Sequence, residues 1–388
     1  MKKIAILGST GSIGTSTLSL CEQFPDRFVP ITLAAGANVD TAFEQAVRWH
    51  PQLISLATEQ SAEALRTRLR EAGISGTEVL YGTLGTIAIA THPEVDFVVS
   101  AIVGVAGLEA TFAAAQAGKD IGLANKEALV TAGELILDAA HASGAALLPI
   151  DSEHNAIHQA MRGGAQSEVK QIWLTASGGP FRTTPLLDFA HITPAQALKH
   201  PTWVMGQRIT IDSATMLNKG LEIIEACLLF NLPPAKVRVT VHPQSTVHSL
   251  VEFIDGSILA QISVTDMRLP ILYALAYPER PASNLTFDLS ALSHLDFSPP
   301  DFERFPCLRL AYEAAESGPA ACIALNAADE IAVAGFLAGE IPFMGIPRTI
   351  ERVVELTPAA KPESIQDVLT ADSEARERAR EVVAQDYR

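Results

Sequence analysis

Residues 2–14 read KKIAILGSTGSIG, with glycines at positions 8, 11 and 14. The apolar run at 4–7 predicts a buried strand, and the residues from Ser12 onward have helical spacing. A glycine-rich turn between a strand and a helix lets the backbone approach a pyrophosphate, which the helix N-terminus attracts. The GxxGxxG spacing differs from the dinucleotide fingerprint GxGxxG by one inserted residue, and glycine-rich turns also occur in loops without ligands. Its position directly after a strand and before a helix favours a dinucleotide site.

The first 150 residues alternate short apolar runs with helical stretches, which predicts βαβ units and a parallel sheet. Helical spacing occurs at 12–24, 108–118 and 128–143. The expected strands lie at 3–8, 29–35, 52–57, 96–100, 120–124 and 146–150. The sequence therefore predicts an α/β chain whose N-terminal domain, residues 1–150, is a doubly wound, Rossmann-like parallel sheet.

Beyond residue 150 the pattern changes. A helix at 213–230 and longer strands predict a second α/β domain over 151–276. Those strands are expected at 169–175, 236–241, 246–253 and 257–264. Prolines and polar residues over 277–303 predict a linker. Residues 304–388, rich in Ala, Glu and Leu with helical spacing, predict a helical C-terminal domain that ends in a solvated helix at 372–388.

Composition excludes several classes of partner. The net charge of −16 would repel a polyphosphate backbone, and no basic cluster offsets it, so nucleic acid is not expected. No run of about 18 uncharged apolar residues is present, so no membrane span is expected. The four cysteines lie far apart without CxxC spacing, as is typical of reduced thiols. The first residues lead straight into a strand without a signal peptide, so we expect a cytoplasmic protein.

The end of the second strand bears on the choice of nucleotide. It reads Ala34-Ala35-Gly36-Ala37-Asn38, without the Asp or Glu that NAD sites usually place there to bind the ribose 2′-hydroxyl. A 2′-phosphate would not be repelled, which favours NADPH, although no Arg or Lys stands there either. Further clusters of polar residues or glycines follow other strands, and the carboxyl ends of parallel strands should gather them along one crevice. These clusters are 10–13, 36–38, 125–127 and 151–153.

Asp151 and Glu153 lie two residues apart after the predicted strand 145–150. An extended backbone would point both carboxylates the same way, and their repulsion would favour a hard divalent cation such as Mg²⁺ or Mn²⁺ between them. The alternative is a helix start, in which Asp151 or Ser152 caps the helix and Glu153 stands in its first turn. The local sequence leaves both interpretations open.

The predicted helix at 216–230 carries Asn218, Lys219 and Glu222 on one polar strip. This strip could be a salt-bridged surface. The residues just upstream, Asp212-Ser213-Ala214-Thr215, add small hydrogen-bond donors. Together with Asn218 and Lys219 they form a plausible cradle for a phosphate monoester.

Two glycine-bounded loops are further candidates. Ser177-Gly178-Gly179-Pro180-Phe181 is either an anion-binding turn or an ordinary tight turn. The loop 199–206 contains His200, Trp203 and Met205, and it is either a lid over a site or a loop packed on the core.

Four histidines are weak candidates for metal ligands. His154 and His158 are four residues apart, but no HExxH order is present and the oxygen-rich surroundings favour a harder ion than zinc. His242 and His248 lie on or beside predicted strands, where a buried structural histidine is the usual finding.

Eight blocks, in this order, resemble the signature blocks of the 1-deoxy-D-xylulose 5-phosphate reductoisomerase family. The resemblance covers nearly the whole chain and extends to Ala324–Glu330. The blocks are Gly8–Gly14, Ala124–Glu127, Pro149–Asn155, Ser177–Phe181, His200–Gly206, Asp212–Met216, Asn218–Glu222 and His242–Ser245.

The resemblance implies an NADPH domain at 1–150, a catalytic domain at 151–276, a linker at 277–303, a helical domain at 304–388 and a homodimer. It implies NADPH and a divalent cation (Mn²⁺, Mg²⁺ or Co²⁺) held by Asp151, Glu153 and Glu222. The implied substrate contacts are Lys126, Ser152, Glu153, Ser177, His200, Trp203, Ser213, Asn218, Lys219 and Glu222, with Trp203 and Met205 in a closing flap. The implied cofactor contacts are Thr10, Gly11, Ser12, Ile13, Gly36, Ala37, Asn38, Asn125, Glu127, Gly206 and Met267.

One position departs from many relatives, which have a basic or polar residue where this chain has Ala37. Asn38 is present for the 2′-phosphate, and Gln207 and Arg208 are further candidates. The resemblance implies rearrangement and reduction of 1-deoxy-D-xylulose 5-phosphate to 2-C-methyl-D-erythritol 4-phosphate, with Lys126 assisting proton movement. The alternatives are an NADPH dehydrogenase that leaves the carbon skeleton unchanged, and a non-catalytic nucleotide-sensing module.

Overall fold

The computed structural model describes residues 1–203 and 206–387. The chain divides into two compact units. Unit 1 comprises Met1–Ala128, Glu134–Asn155 and Asp266–Asn284. Unit 2 comprises Leu129–Gly133, Ala156–Thr265 and Leu285–Arg388. The finer division at residues 150, 276 and 303 stays a prediction.

The described residues form strands in both units. The strands are β1 (Lys2–Leu7), β2 (Phe28–Ala34), β3 (Leu53–Leu56), β4 (Glu78–Tyr81), β5 (Phe97–Ser100), β6 (Asp120–Leu123), β7 (Leu147–Pro149), β8 (Val169–Ala176), β9 (Val237–Val241), β10 (Val247–Phe253) and β11 (Ile258–Ile262).

Helices make up much of the rest of the described chain. They are α1 (Ser12–Gln23), α2 (Val39–Trp49), α3 (Glu59–Glu71), α4 (Gly82–Thr91), α5 (Leu108–Gln116), α6 (Lys126–Ser143), α7 (Ser152–Met161), α8 (Pro194–Ala197), α9 (Gln207–Ala214), α10 (Leu217–Leu229), α11 (Arg268–Ala276), α12 (Pro306–Ser317), α13 (Pro319–Leu337), α14 (Gly345–Glu355) and α15 (Ile365–Asp386). Short 3-10 helices lie at 104–107, 166–168, 186–191, 234–236 and 289–291.

Unit 1 is built on a parallel sheet of seven described strands in the order β4-β3-β2-β1-β5-β6-β7. The doubly wound prediction is confirmed, but the sequence predicted six strands and missed β4. This strand has four residues at the sheet edge, and Glu78 and Tyr81 are exposed, so the continuous apolar run that marks a central parallel strand is absent. The strand order reverses between β1 and β5, which is where ligands of such sheets bind.

Local signals explain several helix bounds in unit 1. Asn38 caps α2 by accepting from the Thr41 amide, and Thr58 forms a capping box with Ser61 at α3. Gly144 ends α6 in the left-handed conformation, at φ +79°.

Unit 2 contains a sheet of four described strands in the order β11-β10-β8-β9. β8 runs parallel to β9 and antiparallel to β10, which in turn pairs antiparallel with β11. Helices α12–α15 confirm the helical C-terminal region, although α15 is not a solvated helix throughout. Its side chains Ala375, Ala379 and Val382 are buried in the unit 2 core, because they recur at helical spacing among the charged residues.

Helix α13 has the length and mean hydropathy of a membrane span. It carries Asp329 and Glu330, and 78% of its apolar window is buried inside the structure. These features identify it as the central core helix of unit 2, which packs against α9, α12, α14 and α15.

Candidate functional site

Two glycines of the loop after β1 are required by the fold itself. Gly8 has φ +88°, and a Cβ there would lie 2.6 Å from the Ala101 carbonyl oxygen. A Cβ on Gly14 would lie 2.3 Å from the Gly8 carbonyl oxygen, since α1 packs directly against the turn. Both positions therefore exclude any side chain.

Gly11 differs from its two neighbours in the motif. It lies at the N-cap of α1 with φ −80°, which any residue adopts, and a Cβ there would come no closer than 3.4 Å to the Gly8 oxygen. Among the described residues, no side chain caps this helix N-terminus and no acid stands in its first turn. An uncapped helix N-terminus is suited to an anion, and a small residue there leaves room for it.

The segment after β5 borders the same loop. β5 pairs with β1 at the switch in strand order, and its continuation begins with Ala101, against which Gly8 packs. Val103 in this segment is 69% exposed. Residues 101–103 were not among the sequence candidates. The position of this segment directly after a buried strand was the available signal.

The other nucleotide candidates of unit 1 also lie at the ends of its strands or the starts of its helices. Asn38 and Asn125 have capping roles: Asn125 accepts from the Ala128 amide at 3.2 Å and donates to the Gly104 oxygen at 3.0 Å. Gly36 follows β2, where a Cβ would contact no described atom within 4 Å. Glu127 lies in the first turn of α6 and Met267 at the N-cap of α11, whereas Gly206 belongs to unit 2.

The start of α7 corrects the predicted geometry of Asp151 and Glu153. β7 ends at Pro149 and α7 begins at Ser152, so the backbone is not extended across this stretch. Asp151 accepts from the Ser152 amide at 3.0 Å, and the Ser152 hydroxyl donates to Glu153 at 2.5 Å. The helix-start interpretation is therefore confirmed as local geometry. Both carboxylates lie at a helix N-terminus, which stabilises their charged forms.

Lys126 is brought to Asp151 within unit 1. The two side chains form an ion pair and are only 6% and 17% exposed. A buried ammonium is costly unless it is paired, so this contact holds the first residue of α6 against the residue that precedes α7. The structure thus joins two predicted site residues that are 25 positions apart.

The polar strip on α10 is buried, so the surface interpretation is wrong. Lys219 and Glu222 form an ion pair with side chains 5% and 1% exposed, and Asn218 donates to Glu222 at 2.6 Å. Glu225, one turn further along, is also fully buried. Glu225 was not among the predicted site residues, although its i+3 spacing from Glu222 on an otherwise apolar helix was a signal.

The turn that begins at Ser177 approaches the Ser213 backbone within unit 2 through a glycine. Gly178 and Gly179 have φ +83° and +67°, and a Cβ on Gly179 would lie 2.7 Å from the Ser213 carbonyl oxygen. The turn after β8 therefore packs directly on the last turn of α9. Within this turn the Gly179 amide donates to the Ser177 hydroxyl at 3.2 Å.

His200 completes this cluster. Its Nε2 lies 3.2 Å from the Ser177 hydroxyl, and its Nδ1 accepts from the amide of the half-buried Trp203 at 2.9 Å. Of the predicted flap, Val204 and Met205 lie outside the described residues.

Three of the four histidines considered as metal ligands are buried, and His158 is half-buried. His242 is fully buried, its Nε2 accepts from the Val247 amide at 3.2 Å, and its ring stacks on Phe297. His154 and His248 are buried as well. Burial lowers the pKa of His158, because it disfavours the charged imidazolium, and nearby Arg162 acts in the same direction.

Arg208, a suggested contact of the 2′-phosphate, is held by carboxylates of unit 2. Its guanidinium contacts Asp329 at 3.2 Å and Glu330 at 2.9 Å. These contacts bind it to α13.

Three family models match the chain. The model of 1-deoxy-D-xylulose 5-phosphate reductoisomerase matches residues 4–133. The two models of the family's C-terminal domains match residues 147–230 and 262–378.

Curated relatives match over the full length. The reductoisomerase of Dechloromonas aromatica (strain RCB) is 51% identical, with 99% of this chain and 98% of the relative covered. The enzyme of Methylococcus capsulatus is 52% identical, with 100% and 98% covered.

Solved structures have the same fold. A crystal structure of DOX-P reductoisomerase in complex with NADPH, fosmidomycin and magnesium is 43% identical with a TM-score of 0.93, covering 99% of this chain and 98% of the other. The Zymomonas mobilis enzyme in complex with NADPH is 44% identical with a TM-score of 0.92, covering 98% of each chain. The chain therefore belongs to the 1-deoxy-D-xylulose 5-phosphate reductoisomerase family.

Proposed function

We propose that this protein rearranges 1-deoxy-D-xylulose 5-phosphate and reduces it with NADPH to 2-C-methyl-D-erythritol 4-phosphate, a step of isoprenoid precursor synthesis. The observation that carries the proposal is the buried strip on α10, where Glu222 shares one helix face with Asn218 and Lys219. The phosphate of a sugar phosphate can bind the Asn218 amide and the Lys219 ammonium. The carbonyl end of the same substrate can then reach a cation bound by Glu222. A plain dehydrogenase has no need of that carboxylate.

The donor set fits a divalent cation. Asp151 and Glu153 at the start of α7, together with Glu222 on α10, would supply three carboxylate oxygens, the ligands that Mg²⁺ and Mn²⁺ prefer. Two of these carboxylates already face an ammonium within their own unit, Asp151 facing Lys126 and Glu222 facing Lys219. In general, an ammonium beside a carboxylate favours the ionised carboxylate, which is the form that binds a metal.

The protein's own residues have distinct tasks in this chemistry. When bound, the divalent cation would polarise the ketone and its neighbouring hydroxyl, and NADPH would supply the hydride. Hydrogen bonds to the substrate phosphate come from Ser177, Ser213, Asn218 and Lys219, and further substrate contacts come from Ser152, His200 and Trp203. Lys126 Nζ lies beside Asp151 and can hold or release a proton there.

NADPH would bind unit 1 at the switch between β1 and β5. The uncapped N-terminus of α1 would take the pyrophosphate beside Thr10, Gly11, Ser12 and Ile13, and the segment 101–103 would flank it. Further contacts come from Gly36, Ala37, Asn38, Asn125, Glu127, Gly206 and Met267. The neutral Ala37 position leaves a 2′-phosphate unopposed by a carboxylate.

The test of this function is the product formed from 1-deoxy-D-xylulose 5-phosphate, NADPH and Mn²⁺. Rearrangement places the methyl group on a carbon without hydrogen, so its proton signal is a singlet. Reduction without rearrangement leaves the methyl beside a CH–OH, which gives a doublet. A doublet, or full NADPH oxidation after thorough chelation, would establish the plain dehydrogenase instead. No NADPH oxidation in either condition would favour the nucleotide-sensing alternative.

Replacing Ser213 with alanine should mainly raise KM. The hydroxyl that we assign to the substrate phosphate would be lost, and a charge-assisted hydrogen bond is worth about 1.5–3 kcal/mol. We expect kcat within a few-fold of the wild type. Steady-state kinetics measure both constants, and an unchanged KM would remove Ser213 from the phosphate site.

The protein should form a homodimer through the edge strand β11. Its side chains Ile258, Leu259 and Ile262 are 52%, 41% and 37% exposed, and an exposed apolar edge strand readily pairs with another chain. A second copy pairing with β11 about a two-fold axis would extend both four-stranded sheets.

Light scattering after size-exclusion chromatography tests this interface. Ile258→Lys should shift the mass from dimer to monomer, whereas Leu187→Lys, at a 90% exposed apolar residue on the 3-10 helix 186–191, should leave a dimer. A wild-type monomer, or a dimeric Ile258→Lys variant, would contradict the interface. The described cysteines are all free thiols, which is consistent with the proposed cytoplasmic location.

A further inference from the structure

Arg208 connects α9 to the central core helix α13. Its guanidinium donates to Asn326 Oδ1 at 2.9 Å, contacts Asp329 Oδ2 at 3.2 Å and contacts Glu330 Oε1 at 2.9 Å. On its own helix, Asp212 lies 3.6 Å from the guanidinium. One side chain therefore bridges three acceptors on α13 and a carboxylate on α9.

The carboxylates of this network have little access to water. The side chains of Asp212 and Asp329 are 3% and 0% exposed, while that of Arg208 is 18% exposed. Burial raises the pKa of Asp329 to about 6, and the positive charge of Arg208 opposes the rise. Removing the cation would leave these acids uncompensated in the core.

Lysine cannot reproduce the geometry of this bridge. The planar guanidinium presents several N–H groups in a fixed fork, whereas an ammonium is a compact point charge. An Arg208→Lys variant would keep the charge that the buried acids require, but it could not hold all the acceptors of α13 in the same register.

The position of α9 matters for the proposed phosphate site because its last turn carries Ser213. The carbonyl oxygen of Ser213 would lie only 2.7 Å from a Cβ on Gly179, so the turn that carries Ser177 rests directly on this end of α9. A small rotation or shift of α9 would therefore move the Ser213 hydroxyl relative to Ser177. Misplacements of about 1 Å are enough to weaken a pre-organised site.

We propose that Arg208 is a positioning residue for the substrate phosphate: by fixing α9 to α13 it holds Ser213 in register with the Ser177 turn. The inference rests on the proposed function, since it assigns these two serines to the phosphate. It extends that site into the C-terminal helical region, which supplies no candidate substrate contact of its own. Asn326, Asp329 and Glu330 are the residues through which α13 acts.

The same network contains a matched control. Arg376 contacts Glu330 at 2.8 Å and Asp372 at 2.6 Å, which joins α15 to α13. Its side chain is 20% exposed, close to the value for Arg208. Arg376→Lys therefore disturbs a comparable bridge to the same core helix. Its ion pairs with Glu330 and Asp372 involve α13 and α15 and not α9.

The experiment compares Arg208→Lys and Arg376→Lys, each with and without Ser213→Ala, in the full-length enzyme. KM and kcat for 1-deoxy-D-xylulose 5-phosphate and the melting temperature are measured for every variant. We expect Arg208→Lys to raise KM roughly tenfold with kcat within about threefold of the wild type, as loss of ground-state phosphate binding requires. Arg376→Lys should lower the melting temperature similarly and leave KM unchanged.

The double variant tests whether Arg208 acts through Ser213. If it does, Arg208→Lys should raise KM much less in the Ser213→Ala background than in the wild type, because coupled residues are not additive. A KM for Arg208→Lys no higher than that of Arg376→Lys, or a full additive effect in the double variant, would overturn the inference.

A wild-type protein that does not turn over the substrate would refute the proposed function, and the inference would then be tested by binding alone. Calorimetry with inorganic phosphate is the probe. Arg208→Lys should weaken phosphate binding while Arg376→Lys should not, and equal affinities in the two variants would overturn the inference.

Discussion

Glu222→Gln is expected to reduce kcat/KM for 1-deoxy-D-xylulose 5-phosphate by roughly a thousandfold or more, as the loss of a catalytic metal ligand does. The amide keeps the shape of the side chain but removes its negative charge. Glu222 is 1% exposed and forms an ion pair with Lys219, so the substitution also changes the charge balance around the proposed phosphate contacts. Steady-state kinetics over a Mg²⁺ titration measure the effect.

Two controls separate ligand loss from misfolding. NADPH affinity, followed by cofactor fluorescence, should stay close to the wild-type value because the proposed cofactor residues, apart from Gly206, lie in unit 1 whereas Glu222 lies in unit 2. Glu222→Asp keeps the charge on a shorter side chain, so it should retain more activity than Glu222→Gln and need more Mg²⁺. If Glu222→Gln remained within tenfold of the wild type, Glu222 would not be a metal ligand.

Gly14→Ala should destabilise the fold much more than Gly11→Ala. A Cβ on Gly14 would lie 2.3 Å from the Gly8 oxygen and 2.5 Å from the Ser9 Cα, both backbone atoms that cannot move aside. We expect a loss of about 1–3 kcal/mol or more in the free energy of unfolding, as overpacking typically costs. Cofactor binding should be lost as well, because α1 and its turn would separate.

Gly11→Ala has no such clash, since its nearest described contact would be 3.4 Å away and its φ of −80° suits alanine. The unfolding free energy should fall by about 1 kcal/mol or less, which is the range of N-cap effects. NADPH affinity should nevertheless fall at least roughly tenfold, because the new methyl group would occupy the approach of the pyrophosphate. Denaturant unfolding and fluorescence titration measure the two quantities. Unchanged NADPH affinity in Gly11→Ala would remove this helix N-terminus from the cofactor site.

The sequence determined the doubly wound fold because its strands are buried on both faces. Apolar runs such as Ile4–Leu7 and 97–100 are continuous and bounded by glycine or polar residues, so their number and order could be counted with one exception. The exception, β4, lies at the sheet edge with exposed side chains and lacks that signal. The order of the matching blocks along the chain likewise determined the family.

Several site features were not determined by local sequence. Asp151 and Glu153 had two interpretations, and the structure places both at the start of α7 because β7 stops at Pro149. The α10 strip was equally consistent with a solvated surface, and only its packing shows that Lys219 and Glu222 are buried.

Tertiary structure alone decided which distant residues meet. The Lys126 to Asp151 pair and the contact of Gly179 with Ser213 join segments 25 and 34 positions apart, and no local pattern encodes either one. Tertiary structure also decided the partners of Arg208. The sequence suggested Arg208 as a nucleotide contact, whereas in the structure it pairs with Asp329 on α13. Periodicity along a chain reports which face of an element is buried, whereas the partner of a buried charge depends on how the elements pack.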